Sequence, residues 1–207
     1  LGLPADALVL GLLPGSRLSE VRFLGNVFVD AAALAVDRIN PGGRYYPSAV
    51  VVIPCVSKKI RSLLTEIVSS KTGIDVRLIE GASENVIAAS DVVLTKAGTS
   101  TLEALLLGRP MVVSYRLGGF SHWIAKRLIR SEFVALPNIL AGYGMVPELL
   151  QSDATPDRLA NALVKEIERF KNDEDLRHAF RGIHRNLRCG ASERAAEVVM
   201  SLVYKGK

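Results

Sequence analysis

Leu8-Val9-Leu10-Gly11-Leu12-Leu13, followed at once by Pro14-Gly15-Ser16-Arg17, is the stretch that decides the fold. Its apolar residues stand at consecutive positions instead of alternating, which suits a parallel strand covered on both faces. Pro14 and Gly15 end the run. From 18 to about 36 the apolar residues Val21, Leu24, Phe28, Ala32 and Ala35 then recur at helical spacing. A buried strand, a glycine turn and an amphipathic helix therefore follow one another.

The same alternation continues along the chain. Strands are expected over 49–53, ended by Pro54, and over 75–79, 91–95, 111–115 and, last, 133–136. Helices are expected over 57–70, 84–89, from the Lys96-Ala97-Gly98-Thr99 turn to about 107, and over 122–129. Gly108-Arg109-Pro110 stops the third of these. Beyond 136 the strands cease. Thr155-Pro156 reads as an N-cap followed by proline at the first helical position, and helices follow near 156–170, 173–187 and 191–204. The expected class is α/β: a doubly wound, Rossmann-like parallel sheet over 1–151 with C-terminal helices over 152–207. In such sheets ligands sit beyond the carboxyl ends of the strands, here 14–20, 54–59, 80–85, 96–103, 116–121 and 137–144.

Composition narrows the function classes. The chain has 207 residues, 49% hydrophobic and 23% charged, which excludes a disordered, collagenous or disulfide-framework chain. Two cysteines, Cys55 and Cys189, are expected to be inert and point to a reducing compartment. No apolar run approaches the roughly 18 residues of a membrane span. No secretory signal pattern is seen, and the start at Leu1 without Met reads as a piece of a longer protein. A net charge of +5 and a pI near 9.4 fit an anionic partner without choosing among nucleotide, lipid and nucleic acid.

Several familiar motifs are missing. There is no Gly-x-Gly-x-x-Gly, no Gly-x-x-x-x-Gly-Lys-Ser/Thr and no Gly-x-Ser-x-Gly. His122, His178 and His184 have no zinc-like spacing with the cysteines, so no metal is expected. Asp173-Glu174-Asp175 matches Asp-x-Asp but reads as a solvated helix start.

Three segments carry candidate chemistry. In the first, Gly15 lets backbone approach a ligand, the helix start at Ser16 offers free N–H groups to an anion, and Arg17 adds a bidentate cation. The plainer alternative is a turn with Ser16 as N-cap and Arg17 paired to Glu20. The second is Lys96-Ala97-Gly98-Thr99-Ser100-Thr101-Leu102-Glu103. Its small hydroxyl residues can donate to phosphate, and Glu103 can accept from ribose hydroxyls. Ser100-x-x-Glu103 also reads as a capping box, which alone explains both residues. In the third, Asn138 stands among apolar residues and suits either a sugar hydroxyl or phosphate, or a turn. Arg177, Arg181, Arg185 and Arg188 share one helix face, either solvated or facing an anionic surface. Phe120, Trp123 and Ile124 suit core packing or a membrane-touching patch.

Together these segments resemble the C-terminal half of lipid-A-disaccharide synthase. The resemblance lies in Leu13-Pro14-Gly15-Ser16-Arg17-x-x-Glu20, Ser90-Asp91, Gly98-Thr99-x-x-Leu102-Glu103, Pro110-Met111-Val112-Val113-x-Tyr115-Arg116, Ala125-Lys126-Arg127-Leu128 and Leu136-Pro137-Asn138-x-Leu140-Ala141-Gly142. It implies the C-terminal, nucleotide-binding half of a GT-B glycosyltransferase from a Gram-negative bacterium. The family transfers 2,3-diacylglucosamine from UDP to 2,3-diacylglucosamine 1-phosphate (lipid X), with inversion, making the lipid A disaccharide 1-phosphate. It uses no cofactor. It works in the cytoplasm, peripherally at the anionic inner-membrane surface, often as a homodimer through swapped C-terminal helices. No nucleic-acid partner is implied. The resemblance makes Arg17 and Asn138 the catalytic candidates and places UDP-sugar on Gly15, Ser16, Arg17, Gly98, Thr99, Ser100, Glu103 and Asn138. Uracil is expected near 80–86, and the general base in the N-terminal half. The alternatives are another UDP-N-acetylglucosamine-using GT-B enzyme, a peptidoglycan transferase or an epimerase, and a non-catalytic nucleotide-binding module.

Overall fold

A computed structural model describes residues 1–116, 132–188 and 190–205, with 191 and 203–205 described by backbone alone. The expected helix over 122–129, His122, the Phe120/Trp123/Ile124 patch, the 125–128 segment and Cys189 lie outside the described residues.

Strands β1 (Leu8–Leu13), β2 (Ala49–Cys55), β3 (Asp75–Glu80), β4 (Val92–Lys96), β5 (Met111–Tyr115) and β6 (Glu148–Leu150) form one sheet. Their order is β3-β2-β1-β4-β5-β6, and every neighbouring pair is parallel. This is the doubly wound order in which winding reverses between β1 and β4. The helices are α1 (Leu18–Ile39), α2 (Lys58–Ser69), α3 (Ser83–Ala89), α4 (Thr99–Leu106), α5 (Leu136–Ala141), α6 (Pro156–Asn172), α7 (Glu174–Leu187) and α8 (Ala191–Lys205), numbered over the described residues.

Both faces of the sheet are covered, which explains the consecutive apolar runs. Leu8, Leu10 and Leu12 of β1, with Val51, Ile53, Val92, Leu94 and Val112, pack under α1, α2 and α6. Val93, Met111 and Val113 face the other way, against Ile87 of α3, Ala104 and Leu105 of α4 and Phe180 of α7. Gly11 stands in mid-strand because a Cβ there would lie 2.4 Å from Ser90 Oγ, at the end of α3. The neighbouring Asp91 fastens β4 to β1: its carboxylate accepts from Val9 N–H, and its own N–H donates to Val9 C=O, each at 2.8 Å. Cys55 is buried in the first core, and that burial pushes its thiol pKa up, as an inert small residue requires.

The end of β2 and the place of the last strand differ from expectation. Strand β2 passes through Pro54 to Cys55, paired there with Ile79 and Glu80. Its pairing with β1 ends at Val52, so Pro54 serves only one neighbour and its missing N–H costs little. The expected last strand over 133–136 does not form. Leu136 instead begins α5, with Pro137 in its first turn and Gly142 at its end in the left-handed conformation (φ 77°). The last strand is β6, paired with Val113, Ser114 and Tyr115.

The C-terminal helices begin as expected. Thr155 Oγ1 accepts from Arg158 N–H at 3.4 Å, and Asp173 Oδ1 accepts from Leu176 N–H at 2.9 Å, so the Asp-x-Asp run is a helix cap. Leu159, Ala160, Leu163 and Ile167 of α6 belong to the same core as α1. By contrast, the side chains of α8 from 192 to 202 are exposed, among them Val198, Val199, Met200 and Leu202. No described helix is long and apolar enough to cross a membrane.

Glu166 of α6 is an ionisable group inside this packing. It is 3% exposed, its Oε1 has no hydrogen-bond partner, and its Oε2 lies 3.4 Å from the Arg169 guanidinium. Burial raises its pKa from 4.5 to about 7; Arg169 opposes that rise and Asp173 adds to it. The folded chain thus keeps a proton that the unfolded chain loses above about pH 4.5, so this group's contribution to stability falls between about pH 4.5 and 7 and is constant above. Glu166→Gln is expected to remove that fall. In urea unfolding, stability relative to wild type should rise by about 2 kcal/mol between pH 5 and pH 8.

Candidate functional site

The two strands flanking the reversal point end side by side. Strand β1 delivers Gly15, Ser16 and Arg17 into α1, and β4 delivers Lys96 to Gly98 into α4. Between them lies a hollow of about 230 Å³, lined by Gly15, Ser16, Glu20, Lys96, Gly98, Thr99, Ser100 and Glu103. Leu13, Ala97, Pro54, Val56 and Ser83 complete its walls, so the ends of β2 and β3 contribute as well. Its volume lies slightly below the roughly 300–1,000 Å³ typical of small-molecule sites.

The first turn is held by a carboxylate. Glu20 Oε2 accepts from the N–H groups of Ser16 and Arg17, at 3.0 and 3.2 Å. Its Oε1 lies 3.2 Å from the Arg17 guanidinium and 3.0 Å from Lys96 Nζ. Glu20 and Lys96 are nearly covered, 14% and 16% exposed, whereas the Arg17 side chain is 78% exposed on the rim. Burial pushes the Glu20 pKa up, but the Lys96 ammonium and the Arg17 and Ser16 amides outweigh it and hold it below the usual carboxylate range. Lys96 is also backed by the Tyr115 ring, 5.2 Å from its centroid. Gly15 has φ 130°, and a Cβ there would fall 2.3 Å from Glu20 Oε2, so glycine is required both by conformation and by space. The pairing of Arg17 with Glu20 is present; the N-cap position is Arg17, one residue later than Ser16.

The second turn differs from a capping box. Helix α4 begins after Gly98 without a side-chain cap, and Ser100 Oγ turns back to Thr95 Oγ1 at 2.7 Å. Thr101 Oγ1 donates to Gly98 C=O at 2.7 Å. The Glu103 carboxylate is therefore not spent on the helix start, and it lines the hollow with no ion pair to any described residue. Thr99 is exposed at the mouth.

The hollow thus brings together Gly15, Ser16, Gly98, Thr99, Ser100 and Glu103, with Arg17 on its rim. It adds Lys96 and Ser83, whose roles the sequence does not reveal by type. Their position was the available signal, since each follows the carboxyl end of a strand. Arg116 is engaged elsewhere, donating to Gln151 C=O at 3.3 Å and Ala154 C=O at 2.7 Å. On α7, Arg177 donates to Phe170 C=O at 2.5 Å and Lys171 C=O at 2.8 Å, so it ties α7 to the end of α6. Arg181, Arg185 and Arg188 remain on an open groove with His178 and His184. Among the described residues no group of three His, Cys, Asp or Glu side chains is placed to hold a metal ion.

Comparison with known proteins bears on this geometry. The family model described as lipid-A-disaccharide synthetase matches residues 1–199. A lipid-A-disaccharide synthase of Pseudomonas aeruginosa (strain LESB58) is 45% identical over 204 residues, 98% of this chain and 51% of its own length. One from Salmonella paratyphi A is 40% identical over 203 residues, again 98% of this chain and 51% of its own. The chain therefore spans about half the length of the curated relatives it matches. Among solved structures, E. coli ADP-heptose lps heptosyltransferase II aligns with TM-score 0.56 and 16% identity over 82% of this chain and 49% of its own. WaaG, a glycosyltransferase involved in lipopolysaccharide biosynthesis, aligns with TM-score 0.53 and 17% identity over 95% and 48%. These two likenesses establish a shared fold.

Asn138 is not brought to the hollow. It is fully buried, and both ends of its amide are engaged. Nδ2 donates to Val146 C=O at 2.9 Å and Glu148 Oε1 at 2.7 Å, while Oδ1 accepts from Val146 N–H at 2.8 Å. Glu148 in turn accepts from the N–H groups of Val134 and Ala135, ahead of α5. Asn138 thus clasps α5 to the β6 strand, and it is not among the residues lining the hollow. Asn138→Ala strands a buried backbone pair and is expected to cost about 3 kcal/mol, read as a lower urea midpoint with unchanged slope.

Proposed function

Because the chain belongs to the lipid-A-disaccharide synthetase family, we propose that it is the UDP-sugar-binding part of an inverting glycosyltransferase. In this reading the whole enzyme joins UDP-2,3-diacylglucosamine to 2,3-diacylglucosamine 1-phosphate (lipid X), releasing UDP and the lipid A disaccharide 1-phosphate. The observation that carries it is the single hollow shared by the two glycine turns at the reversal point, with the Glu103 carboxylate on its wall and not ion-paired to any described residue.

The chemistry follows from the parts. Departure of UDP builds negative charge on the β-phosphate. The positive end of the 22-residue α1 points into the hollow, and the Ser16 and Arg17 amides are aimed there. Arg17, long and 78% exposed on the rim, is suited to fold over a diphosphate and share its charge. Gly98 and Thr99 admit phosphate to the second helix start, and Glu103 accepts from the ribose hydroxyls. Ser83, after β3, lines the same hollow and lies within the 80–86 region assigned to the uracil. The acceptor site and the general base are assigned to the part of the relatives beyond the matched half.

Two surfaces suit the remaining partners. The open arginines of α7 suit an anionic inner-membrane face, where the whole enzyme would act peripherally. The exposed apolar residues of α8 suit packing on the other half of the enzyme or exchange in a homodimer.

The test is calorimetric titration of the chain with UDP in EDTA. Binding is expected without added metal, and Arg17→Ala and Glu103→Ala are each expected to weaken it about ten- to a hundredfold. Binding of AMP or NAD in preference to UDP, or unchanged affinity in both variants, contradicts this reading.

A further inference from the structure

Glu20 occupies the donors that the first turn and Lys96 would offer an anion in this hollow. Its carboxylate accepts from two backbone amides and lies against two cations, Arg17 and Lys96. That is a complete anion seat, filled by a side chain from the same helix whose N-terminus forms it. Lys96 comes from the opposite wall, at the end of β4, and is the residue that joins the two walls electrostatically. With the Tyr115 ring behind it and Glu20 in front, its ammonium has two partners that hold it in the hollow.

We infer that Glu20 is an internal counter-anion of the diphosphate seat, and that an arriving phosphate takes Ser16 N–H, Arg17 N–H and Lys96 from it. The inference rests on the nucleotide-diphosphate reading and adds two residues to it: Lys96 as a phosphate-binding cation and Glu20 as the group that must give way. The argument is one of donors and charge. Each amide has one hydrogen, and a carboxylate and a phosphate cannot both accept it at full strength. Two anions side by side near one ammonium also repel each other. The exchange is isosteric in kind, oxygen for oxygen, and leaves neither the amides nor Lys96 unpaired. It also confers selectivity. A ligand with a single anionic contact displaces Glu20 at little gain, whereas a diphosphate reaches Lys96 and the second turn together. Glu20, held below the usual carboxylate range, remains the ionised competitor throughout pH 6–8.

The experiment titrates UDP and, separately, inorganic phosphate into wild type, Glu20→Gln, Lys96→Met and Lys96→Arg, with circular dichroism confirming each fold. Glu20→Gln is expected to bind UDP at least fivefold more tightly and to gain more for inorganic phosphate than for UDP. Lys96→Met is expected to bind UDP at least tenfold more weakly, and Lys96→Arg within about threefold of wild type. A second readout needs no variant: the carboxyl carbon resonance of Glu20 in wild type is expected to move towards that of a solvated glutamate as UDP saturates the chain. Wild-type binding of UDP with unchanged or weaker binding in Glu20→Gln, or with an unmoved Glu20 resonance, overturns the inference and leaves the nucleotide reading standing. Failure of both wild type and Glu20→Gln to bind UDP overturns both.

Discussion

The pairing of β1 with β4 is the constraint on which the rest depends. It runs from Leu10 opposite Val92 to Leu13 opposite Thr95, and it is sealed below by the reciprocal bonds of Asp91 with Val9. These strands are distant in sequence, and the chain reaches β4 only after winding outwards through β2 and β3. Once they lie side by side, the turns that leave them must also be adjacent. The hollow is therefore a consequence of topology before it is a matter of side chains. Gly11 contributes to the same end by letting α3 rest on β1, and Gly15 by leaving room for Glu20.

Electrostatics then gives the hollow its character. Two helices begin there, and two cations stand at its edges. The chain neutralises this positive region with its own carboxylate, which keeps the folded protein from carrying unpaired amides and a nearly covered, unpaired ammonium. A site built in this way is stable without its ligand and is suited to an anion of more than one charge. Glu103, on the opposite wall, makes no ion pair with a described residue, and Ser100 beside it turns inward to Thr95. In the proposed reading an acceptor for the ribose hydroxyls and a seat for the diphosphate are thereby set side by side.

Much of this was legible in the sequence. The consecutive apolar residues of 8–13 and 111–115 mark strands with both faces covered, and the structure has β1 and β5 over those same residues. The glycine turns at 15 and 98 follow from strand ends and meet as the doubly wound order requires. What could not be read depends on contacts between distant residues. Strand β6 has three residues and no pattern of its own, and it exists because β5 offers an open edge. Asn138 has the right chemistry for a sugar, yet no local rule shows that its amide is turned inward onto Val146 and Glu148. The meeting of Lys96 with Glu20 is likewise a product of the fold, since each alone reads as an ordinary surface charge. The chain belongs to the lipid-A-disaccharide synthetase family and spans about half the length of the curated relatives it matches.

The central claim is that two turns from different parts of the chain form one nucleotide seat. A crystal structure of the chain with UDP tests it most directly. The account predicts diphosphate oxygens within hydrogen-bond reach of both the Gly15–Arg17 and the Gly98–Ser100 backbones, with the ribose against Glu103. A nucleotide bound outside the hollow, or touching only one of the two turns, would contradict it.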